Sequence, residues 1–191
     1  MSRKSRHLTL ERLERRELKA GDVAAVLQNG NLFLSEAAGQ AGKDNSVIVS
    51  QLSNGMVRVE GFFAADGSLS KVNGDVFQDF PVTGSLNVNF GAGNDKVILG
   101  GDGVPSMTPT FTAVNIDVSA PQPVNTPVTP PATATAQATP ALAAPPGTTP
   151  AAPDNDNVVI WGVNVTGSMS INTGVGADFV FISASNAGTT G

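Results

Sequence analysis

The chain has 191 residues, of which 40% are apolar and 14% charged, enough for one ordinary domain with appendages. It holds no Cys and a single His, His7, which excludes disulfides and thiolate metal sites and argues against zinc chemistry and a Ser-His-Asp triad. The net charge of −5 divides into +4 over residues 1–20 and −9 over the rest, an acidic body that repels a polyanion, so no nucleic-acid partner is expected.

The basic head, "MSRKSRHLTLERLERRELKAGDV", predicts a short solvated helix within the leader 1–22. Glu11 precedes Arg15 by one turn, and Leu10, Leu13 and Leu18 recur near helical spacing before Gly21 ends the run. The head lacks the apolar stretch of about 7–15 residues that marks an ordinary secretory signal, and no run anywhere in the sequence is long enough for a membrane span. The segment "LERLERRELKAGD" resembles an N-terminal pattern shared by many predicted extracellular planctomycete proteins, roughly L-E-x-L-E-x-R-x-L-L. Leu10, Glu11, Leu13, Glu14, Arg16 and Leu18 match it, and Lys19 departs from it. The resemblance implies an extracellular or cell-surface location and no particular activity.

Residues 23–118 change to short alternating runs. "NLFLS", "SVIVSQL", "MVRVEG", "SLNVNF", "KVILGG" and "AVNIDV" are bounded by Gly, Asn and Asp, and each predicts a strand. In "SLNVNF" the side chains of Leu86, Val88 and Phe90 point one way and those of Asn87 and Asn89 the other. Residues 119–153 are of another kind: uncharged, with 27 of 35 positions Pro, Ala or Thr. That composition predicts a disordered, solvated linker, since it has too little bulky apolar surface to offset ordering entropy.

Strand-like alternation resumes in 154–191, where a repeat appears. "VTGSLNVNFGAGNDKVIL" (82–99) and "VTGSMSINTGVGADFVFI" (165–182) agree at nine of eighteen positions with an offset of 83. Repetition of a strand-turn-strand unit predicts neighbours that cover each other's apolar faces. The second copy is too short to fold alone, so it should dock on the body. The expected architecture is therefore all-β, a β-solenoid or β-roll-like repeat body with a short N-terminal helix and the disordered insertion, with a β-sandwich as the alternative.

Both copies hold a G-x-G-x-D turn. Gly91, Gly93, Asp95 and Val97, and again Gly174, Gly176, Asp178 and Val180, fit a calcium reading in which glycines turn carbonyls inward and aspartate supplies charge. The turns are similar to repeats-in-toxin nonapeptides, G-G-x-G-x-D-x-U-x, although Phe90 and Thr173 replace the first glycine and the copies are not in tandem. The plainer reading is a strand-joining turn whose aspartate bonds to nearby backbone N–H groups, favoured because one carboxylate alone holds calcium weakly. Were the copies adjacent coils, Asp95 and Asp178 would meet and share an ion. Trp161 is expected in the core, and Asp75 with Asp79 form a carboxylate pair of the kind glycoside chemistry uses, a role given little weight.

A similar density of Gly, Asn, Asp and Val marks the β-rich repeat regions of the same planctomycete proteins. The sequence thus points to a non-enzymatic, exported or surface structural or adhesive protein, with calcium as an optional stiffener and cell-surface or matrix components as candidate partners. The alternative is a noncatalytic, calcium-responsive segment of a larger secreted enzyme or toxin-like protein.

Overall fold

The computed structural model describes residues 20–65, 67–100, 108–119 and 154–183 and the backbone of 186–187. The leader up to residue 19, with its expected helix, and the expected disordered insertion, save Ser119, lie outside the described residues.

Within those residues the chain is all-β, with no helix, and its strands form mixed sheets whose pairs are mostly parallel. The first sheet orders β1 (Val23–Gln28), β2 (Asn31–Glu36), β6 (Leu86–Asn89), β9 (Val114–Asp117) and β12 (Met169–Asn172) side by side. The second orders β13 (Phe179–Ser183), β10 (Asn157–Trp161), β7 (Lys96–Gly100), β3 (Ser46–Gln51), β4 (Val57–Gly61) and β5 (Phe77–Phe80). A small third sheet joins β14 (Asn186–Ala187), β11 (Asn164–Val165) and β8 (Thr110–Phe111). Parallel pairing cannot come from hairpins, which separates this arrangement from an antiparallel sandwich.

The chain makes four successive passes, β2–β3, β6–β7–β8, β9–β10–β11 and β12–β13–β14, and each lies in register on the one before. Leu86 pairs with Leu32 on one side and Val114 on the other, and Val114 pairs with Met169. Val97 likewise lies between Val47 and Val158, and Val158 pairs with Val180. Alternation decides which side chains turn inward: Leu86 and Val88 are buried while Asn87 and Asn89 are not, and Val158 and Ile160 are buried while Val159 is less so. One buried cluster draws on both large sheets, including Leu34, Val49, Phe90, Leu99, Ile116 and Ile160. Each such side chain contributes roughly 1.5–3 kcal/mol relative to exposure.

The two ends of the stack differ. At the first pass, antiparallel β1 pairs with β2, and antiparallel β4 and β5 extend from β3. The β1–β2 hairpin turns at Asn29-Gly30, both at positive φ (50° and 78°), the pairing that a two-residue turn between twisted strands requires. At the last pass β13 is exposed along its whole length, including the inward-register Val180 and Ile182.

Two expectations change. The copies offset by 83 residues are not neighbours, because the pass β9–β10–β11 lies between them. Trp161 is 48% exposed and not in the core: it follows inward-facing Ile160 on β10, and strand alternation turns it out.

Candidate metal centre in the aspartate ladder

Each turn between the two large sheets ends on the residue just before a second-sheet strand. Asn45 precedes β3, Asp95 precedes β7, Asp156 precedes β10 and Asp178 precedes β13, and the strand registers stack these four positions. A side-chain oxygen from each later pass accepts the backbone N–H of its equivalent in the pass before. Asn45 N–H donates to Asp95 Oδ1 at 2.7 Å, Asp95 N–H to Asp156 Oδ1 at 2.8 Å, and Asp156 N–H to Asp178 Oδ1 at 3.1 Å.

A second ladder, one residue earlier, runs in the opposite sense. Asn94 N–H donates to Asp44 Oδ1 at 2.8 Å, Asn155 N–H to Asn94 Oδ1 at 3.0 Å, and Ala177 N–H to Asn155 Oδ1 at 3.2 Å. Every junction between passes is therefore stitched in both directions, and backbone donors that the strand ladders do not use find acceptors.

The glycines of the turns serve this stacking. Gly91 and Gly174 take left-handed φ of 74° and 77°, where a side chain is strained. Gly93 and Gly176 are close-approach positions: a Cβ on Gly93 would collide with the Lys43 carbonyl, and one on Gly176 with the Asp154 carbonyl. Asp154 itself pairs with Gly176 across the last junction. The third pass thus has an aspartate beside the ladder where the fourth has a glycine.

Asp154 and Asp156 are buried, and Asp178 is half-buried. One carboxylate oxygen from each lies within 4.8 Å of the others. Both oxygens of Asp154 are buried with no hydrogen-bond partner, as is Oδ2 of Asp156, whose Oδ1 is engaged in the ladder. Asp95 lies one pass away, buried, with its own Oδ2 unpartnered. Burial pushes the Asp95 carboxyl up to about 8, with Asp156 adding to the rise. It pushes Asp156 up to about 7, with Asp154 and Asp178 adding to it. Such a cluster of unsatisfied acceptors can hold a metal ion, and its oxygen-only donors fit a hard one: two oxygens each about 2.4 Å from calcium can stand up to about 4.8 Å apart.

Among the residues singled out from sequence, Asp178 belongs to this cluster. Asp95 belongs to the same ladder but is separated from Asp178 by Asp156, and the four turn glycines act as backbone positions. Sequence reasoning missed Asp154 and Asp156. The signal was present: "NDNV" at 155–158 echoes "NDKV" at 94–97. It sits directly after the Pro/Ala/Thr segment, without the glycine that drew attention to the other turns. Asp79 is taken up by Arg58, whose Nε and Nη2 donate to its two oxygens at 2.8 and 3.0 Å, and this guanidinium holds the Asp79 carboxyl below the usual range. Asp75 accepts from Gln78 Nε2 at 3.4 Å.

Among the described residues no helix is long and apolar enough to cross a membrane. Compared with known proteins, the chain matches no family model, no curated protein and no solved structure.

Proposed function

We propose that the chain is an exported or cell-surface structural or adhesive protein, a β-solenoid whose coils are stiffened by calcium. The observation that carries this reading is the in-register stacking of four passes, each stitched to the next by side-chain ladders as well as strand pairing. Quasi-one-dimensional stacks of this kind present long, rigid surfaces suited to contact with matrix or surface components. The likeness of "LERLERRELKAGD" to the N-termini of exported planctomycete proteins supports the location. Calcium is the ion of choice because the buried donors are carboxylates alone, with no Cys in the chain, and because calcium tolerates irregular oxygen sets better than magnesium does. No catalytic role is proposed.

The test is protease shaving of intact producing cells. The protein is expected to be degraded from outside while a cytosolic marker survives, and deletion of its gene is expected to weaken attachment to surfaces or neighbouring cells. Protection from the protease until the cells are lysed would overturn the location, and unchanged attachment the adhesive role.

A second reading, a noncatalytic repeat segment of a larger secreted enzyme or toxin-like protein, draws on the uncovered inward-register Val180 and Ile182, which a further coil would bury. An antibody to this chain that detects a much larger native polypeptide would favour it.

A further inference from the structure

The acidic cluster occupies a particular junction. Asp154 and Asp156 are the first described residues after the Pro/Ala/Thr segment and lead directly into β10, while Asp178 leads into β13. The cluster therefore straddles the pairing of β10 with β13 at the point where both strands begin. That pairing has little apolar support. No side chain of β13 is buried, and Phe179 and Phe181 stack on each other at 6.5 Å with both rings exposed. β13 is held by hydrogen bonds: its backbone ladder to β10, continued by Phe179 N–H donating to the Asp156 carbonyl at 2.8 Å and Gly162 N–H to the Ser183 carbonyl at 3.1 Å, and the two side-chain ladders just before it. Against it stand three carboxylates brought together, two of them buried and one of those without a single hydrogen bond through its side chain. Like charges at such range disfavour the junction, and a divalent ion between them reverses the sign of that contribution.

We infer that Asp154, Asp156 and Asp178 form a calcium clasp at the junction of the last two passes, so that docking of β13 on β10 depends on the cation. The inference rests on the calcium reading above. It adds a location and a consequence: the ion acts on the last pass and not on the stack as a whole.

Asp154→Asn is the informative variant. The Asp154 side chain makes no ladder bond, so the amide removes one charged ligand and leaves the hydrogen-bonded framework untouched. The full-length protein, stripped with EGTA, is titrated with calcium chloride by calorimetry, and amide hydrogen exchange is followed with and without the ion. One calcium per chain is expected, with a dissociation constant of about 10⁻⁴–10⁻³ M, the range of extracellular calcium modules. At about ten times that constant, exchange in the peptide spanning Asp178–Ser183 should slow about tenfold, the factor that binding to the docked state alone gives. Exchange in β2, β3, β6 and β7 should not change. In Asp154→Asn the slowing should disappear while exchange in those four strands stays at the parent value.

Calcium binding that leaves β13 unprotected would overturn the clasp and leave the cation reading standing. No heat and no retained calcium would remove both. Protection that persists in Asp154→Asn would show that the ion sits elsewhere and would also overturn the assignment.

Discussion

At Asp95 one side chain has two opposing effects. Its Oδ1 accepts the Asn45 N–H at 2.7 Å, while its Oδ2 is buried without a partner and its charge faces Asp156. Asn supplies the same acceptor without the charge. Asp95→Ala instead leaves the Asn45 N–H buried and unsatisfied, a loss of about 1–3 kcal/mol. Urea unfolding of calcium-free protein should therefore rank Asp95→Asn at or above the parent and Asp95→Ala about 1–3 kcal/mol below Asp95→Asn. Equal stability of the two variants would mean that the ladder bond contributes nothing. The same carboxylates set the pH response. Asp95 at about 8 and Asp156 at about 7 lie above the unfolded value of about 3.9, so the folded state binds protons more tightly than the unfolded one. Their contribution to stability is full below about pH 4 and is lost as pH rises through about 7 to 8. In buffer freed of divalent ions the melting temperature should fall across that window, a direction opposite to that of most acid-sensitive proteins. A profile that is flat or rises from pH 4 to 8 would contradict the buried, crowded state of the pair.

Among the elements, strands were legible in the sequence and turns only in part. Alternation in "SLNVNF" marked β6, because an inward Leu or Val and an outward polar side chain is what a half-buried strand requires, and in "KVILGG" a short apolar run closed by glycines marked β7. The same alternation, applied to "NVVIW", turns Trp161 outward: register, not residue type, decides its exposure. Stacking order was less legible, since identity between 82–99 and 165–182 marks like positions without stating how many passes lie between. The intervening pass is harder to see because "FTAVNIDV" and "NDNVVIW" are divided by the Pro/Ala/Thr segment. The turn glycines separate into two kinds that sequence alone treats alike. Gly174→Ala meets a strained φ and should cost about 1 kcal/mol. Gly176→Ala drives a Cβ into the Asp154 carbonyl and should cost more, about 1–3 kcal/mol, because backbone must move. Denaturant midpoints of the two variants decide the order, and a Gly176→Ala protein as stable as Gly174→Ala would mean that the last two passes are less closely apposed.

For the whole molecule, the passes differ greatly in how much sequence they use between equivalent ladder positions. From Asp156 to Asp178 the separation is 22 residues, and from Asp95 to Asp156 it is 61. The extra length enters between β9 and β10, where the corresponding turn of the second pass needs only Gly91, Ala92, Gly93 and Asn94 between Phe90 and Asp95. Register equates Val118 with Phe90 and Asp156 with Asp95, so a chimera with Gly-Ala-Gly-Asn in place of residues 119–155 joins the same two ladder positions as the turn of the second pass. Loop closure then requires less entropy, by roughly 1–2 kcal/mol for this change in length. The Asn of the new turn restores the second ladder, since Asn155 is the residue that now accepts the Ala177 N–H. The chimera loses Asp154, however, and with it one of the three clustered carboxylates. It is therefore expected to melt higher than the parent in the absence of calcium and to gain nothing from millimolar calcium, whereas the parent gains. A chimera that fails to fold would assign residues 119–155 a part in holding the passes together. One that still responds to calcium would place the ion among carboxylates other than Asp154.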